Sequence, residues 1–112
     1  MNFITSLLTI LLITPSFGKP SQFVILSLGK DHEIATYQLD PEKGSLLQQH
    51  RLAVIGKPSA MSVNKEQTRL YVAMKGTNSL AAFTISDDAK LTPLGESMIG
   101  ADASFLSIHP SG

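Results

Sequence analysis

From Gln22 onward the apolar positions come in short runs, each cut off by turn-forming residues. Phe23-Val24-Ile25-Leu26 is apolar, and Gly29-Lys30-Asp31-His32 breaks it. Ile34, Tyr37 and Leu39 then alternate with polar residues until Asp40-Pro41-Glu42-Lys43-Gly44 turns the chain. Leu70-Tyr71-Val72-Ala73-Met74 follows, then Lys75-Gly76-Thr77-Asn78, then Leu80-Ala81-Ala82-Phe83-Thr84-Ile85. No apolar pattern of period 3.6 persists over a helical length. Short runs between Gly, Pro, Asn and Asp turns predict antiparallel all-β structure.

The runs also repeat. Pro58-Ser59-Ala60-Met61-Ser62-Val63-Asn64 matches Ala103-Ser104-Phe105-Leu106-Ser107-Ile108-His109, and Ile34-Ala35-Thr36-Tyr37-Gln38-Leu39 matches Leu80-Ala81-Ala82-Phe83-Thr84-Ile85. A period of about 45 residues with four short strands per unit predicts a β-propeller of four-stranded antiparallel blades. Blade one occupies about 23–55, blade two about 58–100, and a third begins at about 103–112. In blade two the innermost strand is 58–64, the second 69–74, the third 79–85 and the outer one about 91–99. Blade one has a second, third and outer strand but no inner strand before them. Two blades and the start of a third cannot close a ring, so the expected object is the N-terminal fragment of a larger propeller.

Residues 1–22 need a separate reading. Phe3-Ile4-Thr5-Ser6-Leu7-Leu8-Thr9-Ile10-Leu11-Leu12-Ile13-Thr14 carries no charge, and small residues flank Phe17 just before Lys19. A bilayer span needs about 20 apolar residues, so residues 1–18 are expected to be a secretory signal peptide cleaved after about Gly18. The fold is then expected to lie in 19–112, exported to a periplasm or extracellular space, with no membrane contact after cleavage.

Composition narrows the function. Nine basic and nine acidic residues give zero formal net charge, which removes the electrostatic case for nucleic acid. With no Cys, a disulfide scaffold, a Cys-ligated metal and a thiol nucleophile are excluded. There is no glycine-rich phosphate loop and no G-x-S-x-G elbow. No cofactor and no metal is expected.

Several segments carry a family likeness. Pro58-Ser59-Ala60-Met61-Ser62-Val63, Arg69-Leu70-Tyr71-Val72-Ala73, Asn78-Ser79-Leu80-Ala81-Ala82-Phe83 and Lys90-Leu91-Thr92-Pro93-Leu94-Gly95-Glu96 resemble the seven-bladed lactonase propellers. These are the bacterial 6-phosphogluconolactonases and the related fungal muconate-lactonising enzymes. Ala103–Gly112 is similar to the family's recurrent blade start, and Ile34–Leu46 to its opening hairpin. The resemblance implies a carboxylic ester hydrolase that opens a small-molecule sugar lactone by metal-free water attack. It places the catalytic His, Arg and Glu groups on later blades, so no catalytic residue is carried over to this sequence. The family's reference members are cytoplasmic, whereas the leader pattern predicts export. Two rival readings are a muconate-type lactonising cycloisomerase and a non-catalytic exported propeller that binds a protein or a glycan.

Lactone hydrolysis needs a base for water and a donor for the oxyanion, and an anionic substrate also wants Lys or Arg. In such propellers the loops that lead to an inner strand share the ligand face with the loops between second and third strands. Gly56-Lys57 and Gly100-Ala101-Asp102 form the first class, and Lys30-Asp31-His32-Glu33 with Lys75-Gly76-Thr77-Asn78 the second. Lys57, Lys75 and Asp102 are the groups most expected to face substrate. Among the histidines, His32 lacks the second His of a zinc-protease helix, His50 is expected to be an exposed outer-strand residue, and His109 is expected to serve a turn, as Asn64 does one repeat earlier.

Overall fold

The computed structural model describes residues 8–13, 22–103 and 106–109. They form β1 (Leu8–Ile13), β2 (Gln22–Leu28), β3 (Glu33–Asp40), β4 (Ser45–Ala53), β5 (Lys57–Val63), β6 (Arg69–Lys75), β7 (Ser79–Ile85) and β8 (Leu91–Met98). The strands make two four-stranded antiparallel sheets, ordered β1-β2-β3-β4 and β5-β6-β7-β8. These are the two blades, with strand limits close to those expected. Of the expected third blade, Ser104, Phe105 and Pro110–Gly112 lie outside the described residues, and 106–109 carry no regular secondary structure.

The two blades repeat even in their irregularities. In blade one, Thr36 pairs with His50 and Tyr37 with Gln48, so Gln49 is skipped. In blade two, Ala82 pairs with Gly95 and Phe83 with Pro93, so Leu94 is skipped. Both bulges fall on the outer strand opposite the aromatic of the third strand. A bulge sharpens the local twist of an edge strand. A second irregularity lies between Pro58 and Met61 on β5, where the Ser59 hydroxyl donates to the Ala73 carbonyl at 3.0 Å in place of a ladder bond.

One expectation is corrected. Blade one has an inner strand, because Leu8–Ile13 pairs antiparallel with β2 from Leu8↔Leu28 to Ile13↔Phe23. Ile13 is fully buried and Leu11 packs on the core, while Ile10 and Leu12 are exposed. A run that is apolar on both faces shows no alternation, so a leader and a strand read alike in sequence. Residues 1–7 and 14–18 of the expected leader lie outside the described residues.

The core lies between the blades. Ile13, Phe23, Ile25 and Ile34 from blade one meet Met61, Leu70, Val72, Met74 and Phe83 from blade two. One polar bond crosses the apolar layer, from the buried Ser27 hydroxyl to the Ser59 carbonyl at 3.0 Å. The strand reversals are held by side chains that mimic backbone partners. Asn64 Oδ1 accepts from the N–H of Thr68 at 2.8 Å and of Arg69 at 2.9 Å, which fixes the β5–β6 turn.

Candidate functional site

Antiparallel order puts the β2–β3 turn, the β4–β5 linker, the β6–β7 turn and the segment after β8 at the same end of the blades. Hydrogen bonds and the close packing of Gly56 join them into one rim. His32, closing the 3-10 turn Gly29–Asp31, accepts from the Val54 N–H through its carbonyl at 2.9 Å. Its Nδ1 lies 2.8 Å from the Gly56 carbonyl oxygen and 3.0 Å from that of Ile55. Gly56 in turn abuts the next turn so closely that a Cβ there would stand 2.8 Å from Thr77 Oγ1 and 3.0 Å from Met74 Cβ. Beyond it, the Asn78 carbonyl accepts from the Ile99 N–H at 2.9 Å, and Asp102 Oδ1 from the Gly76 N–H at 3.2 Å. Gly76 holds φ +88°, a conformation that a side chain would strain.

The structure brings Lys57 and Lys75 together. They are direct register partners, the first residue of β5 and the last of β6. Like charges directly opposite each other in a sheet repel. Asp102 reaches the same rim but is tied to the Gly76 N–H, where it fastens the turn. Lys30 and Asp31 are exposed on the His32 turn. Glu33 pairs with Arg51, whose Nε donates to Glu33 Oε1 at 2.8 Å and whose guanidinium also contacts that oxygen through Nη2. This hydrogen bond to Glu33 holds the Arg51 pKa above its ordinary value.

His50 departs from its expected place. It is half-buried on β4 and faces the neighbouring blade, with Nε2 3.4 Å from Asp88 Oδ2 but without hydrogen-bond alignment. Its Nε2 and the buried Thr36 Oγ1 have no hydrogen-bond partner among the described residues, and both side chains line a cavity of about 90 Å³ with Arg51, Lys90 and Leu91. The Asp88 carboxyl is held below its usual pKa, first by the Ser86 hydroxyl and then by its own backbone amide and the electrostatic effect of His50. His109 is exposed.

A second cavity, about 250 Å³, opens between the β4–β5 linker and β6, β7 and β8, lined by Ile55, Gly56, Met74, Phe83 and Glu96 among others. The Glu96 carboxylate accepts from the buried Ser79 hydroxyl, which also lies 2.9 Å from Thr77 Oγ1. Nothing in the sequence singled out Glu96, because its partner is 17 residues away and only the β7–β8 register joins them. No three His, Asp or Glu side chains converge as metal ligands among the described residues.

The family model described as "Lactonase, 7-bladed beta-propeller" matches residues 17–112. The chain belongs to this lactonase family. Among solved structures it is similar to a Lactobacillus plantarum protein, at 23% identity and TM-score 0.67, covering 71% of this chain and 26% of that one. It is also similar to the periplasmic gluconolactonase of Pseudomonas aeruginosa, at 18% identity and TM-score 0.68, covering 92% of this chain and 30% of that one. At these identities the two structures show the shared fold. No curated protein matches at a significant level. The chain spans under a third of the length of either structure.

Proposed function

We propose that the whole protein hydrolyses a sugar lactone, and that this segment supplies binding groups for an anionic one. Membership of the lactonase family over residues 17–112 carries the reading. The opposed Lys57 and Lys75 at the rim support the 6-phosphogluconolactone type, because two ammonium groups suit a phosphate as point charges.

The test is turnover by the full-length protein on glucono-1,5-lactone and on its 6-phospho derivative, followed by acid release in a pH-stat. Faster turnover of the phosphorylated lactone is expected. Lys57→Gln should raise KM for that substrate about tenfold, the effect of losing one charge-assisted contact, and leave KM for the neutral lactone unchanged. The variant also relieves the like-charge pair, so its stability should not fall. Equal KM changes on both substrates would remove the phosphate assignment, and no turnover of either would remove the hydrolase.

For location we propose export, on the leader-like pattern of residues 1–18 alone. Cleavage after Gly18 removes β1, so one molecule cannot use the segment both ways. Intact-mass measurement on the protein recovered from the exported fraction is the check. A chain that begins near Lys19 supports export with cleavage. A chain that keeps Leu8–Ile13 supports the strand and overturns the cleaved leader.

A further inference from the structure

His32 is an exposed imidazole with one nitrogen already committed. Its Nδ1 faces two carbonyl oxygens, of Gly56 at 2.8 Å and Ile55 at 3.0 Å. Carbonyl oxygens only accept, so Nδ1 must carry the hydrogen, and the neutral ring keeps its lone pair on Nε2. The backbone is fixed as well: His32 stands in the left-handed region at φ 57°, ψ 45°, its N–H bonded to the Gly29 carbonyl at 3.2 Å and its carbonyl to the Val54 N–H at 2.9 Å. Position, ring orientation and tautomer are therefore all set before any ligand arrives. A side chain that only fastened the loop would need none of the second nitrogen.

From this geometry we propose that His32 Nε2 is a ligand-contacting hydrogen-bond acceptor of the rim, taking the O–H of a sugar hydroxyl on the lactone. The inference rests on the lactone reading above and adds to it a residue on the first blade. Hydroxyl is the ligand class that fits. A neutral imidazole with a fixed lone pair accepts from O–H. A pre-oriented acceptor also discriminates against analogues that lack the hydroxyl, because the site then holds an unmatched polar atom.

His32→Asn separates this role from a structural one. Asn tolerates the left-handed conformation and its amide can still donate to the two carbonyls, but it has nothing at the Nε2 position. In the full-length protein the variant should melt as the wild type does, with KM for glucono-1,5-lactone raised about tenfold and kcat little changed. A KM for glucono-1,5-lactone unchanged in His32→Asn would overturn the proposal.

A second measurement uses the wild-type protein alone. Nitrogen-15 NMR of the His32 ring should show hydrogen on Nδ1 and a shift of Nε2 on adding gluconate. An Nε2–H tautomer, or no shift, would overturn the proposal even if lactones are turned over. If lactones are not turned over, the hydrolase reading falls, and the gluconate shift still decides whether His32 binds a polyol.

Discussion

Phe83→Ala lowers the unfolding free energy by about 3–5 kcal/mol, the range for removing a buried aromatic from a packed core. Phe83 sits in mid-β7, is 3% exposed, and pairs in register with the fully buried Leu70. It belongs to the cluster that joins the blades, with Met61, Val72 and Met74 on its own blade and Ile13, Phe23 and Ile25 across the layer. Truncation removes the aromatic's transfer free energy and leaves a hole that fixed β-strands close only partly. Stabilities of whole domains are about 5–15 kcal/mol, so this one change consumes a large share. Thr84→Ala on the same strand is a suitable control: it is half-buried on the other face and should cost well under 1 kcal/mol. Denaturant titration of the full-length protein measures both, and a Phe83→Ala loss below about 1 kcal/mol would mean that the two sheets do not pack as described.

Gly56→Ala costs about 1–3 kcal/mol, the range for overpacking a filled site. The added Cβ would stand 2.8 Å from Thr77 Oγ1 and 3.0 Å from Met74 Cβ, with the Lys75 carbonyl oxygen at 3.4 Å. Met74 Cβ is fixed to the backbone of β6, and Thr77 Oγ1 is engaged with Ser79, so neither moves cheaply. The linker itself must shift, and it carries the two carbonyls that hold His32. A lower midpoint in thermal melts should therefore accompany a disturbed His32 nitrogen-15 signal. A Gly56→Ala protein with unchanged stability and an unchanged His32 signal would show that the linker does not press on the β6–β7 turn. The two variants probe different layers. Phe83 tests the inter-blade core, and Gly56 tests how that core is coupled to the rim.

The repeat was legible because blade geometry constrains composition in every unit. Ser79–Ile85 is legible as a short strand between turns from the residue types, whereas its alternation, with polar Ser79 buried and Leu80 half-buried, is set by the fold. Also legible is the Asn64 turn, whose side chain answers backbone donors four and five residues ahead. The rim was half legible. Connectivity alone says which loops share an end, and so singled out Lys57, Lys75 and Asp102. It does not say that the two lysines oppose each other and that Asp102 is spent on a backbone N–H. Glu96 and the Thr36–His50 cavity were invisible, since their neighbours come from other strands at separations the residue pattern does not encode.

By itself the sequence determined the class of structure: an all-β chain of repeated four-stranded units, uncharged overall and without thiol chemistry, in the lactonase family's pattern. That information is local, held in alternation, turn residues and the period of about 45 residues. Tertiary structure alone decided which lone pairs are available. His32 is an ordinary turn histidine until the Ile55 and Gly56 carbonyls, more than twenty residues away, take the Nδ1 hydrogen and leave Nε2 as the acceptor. It also places Leu8–Ile13, a run apolar on both sides, as a strand along β2 with Ile13 in the inter-blade core. In both cases the deciding energy comes from groups distant in the chain, and no reading of neighbours along it contains that term.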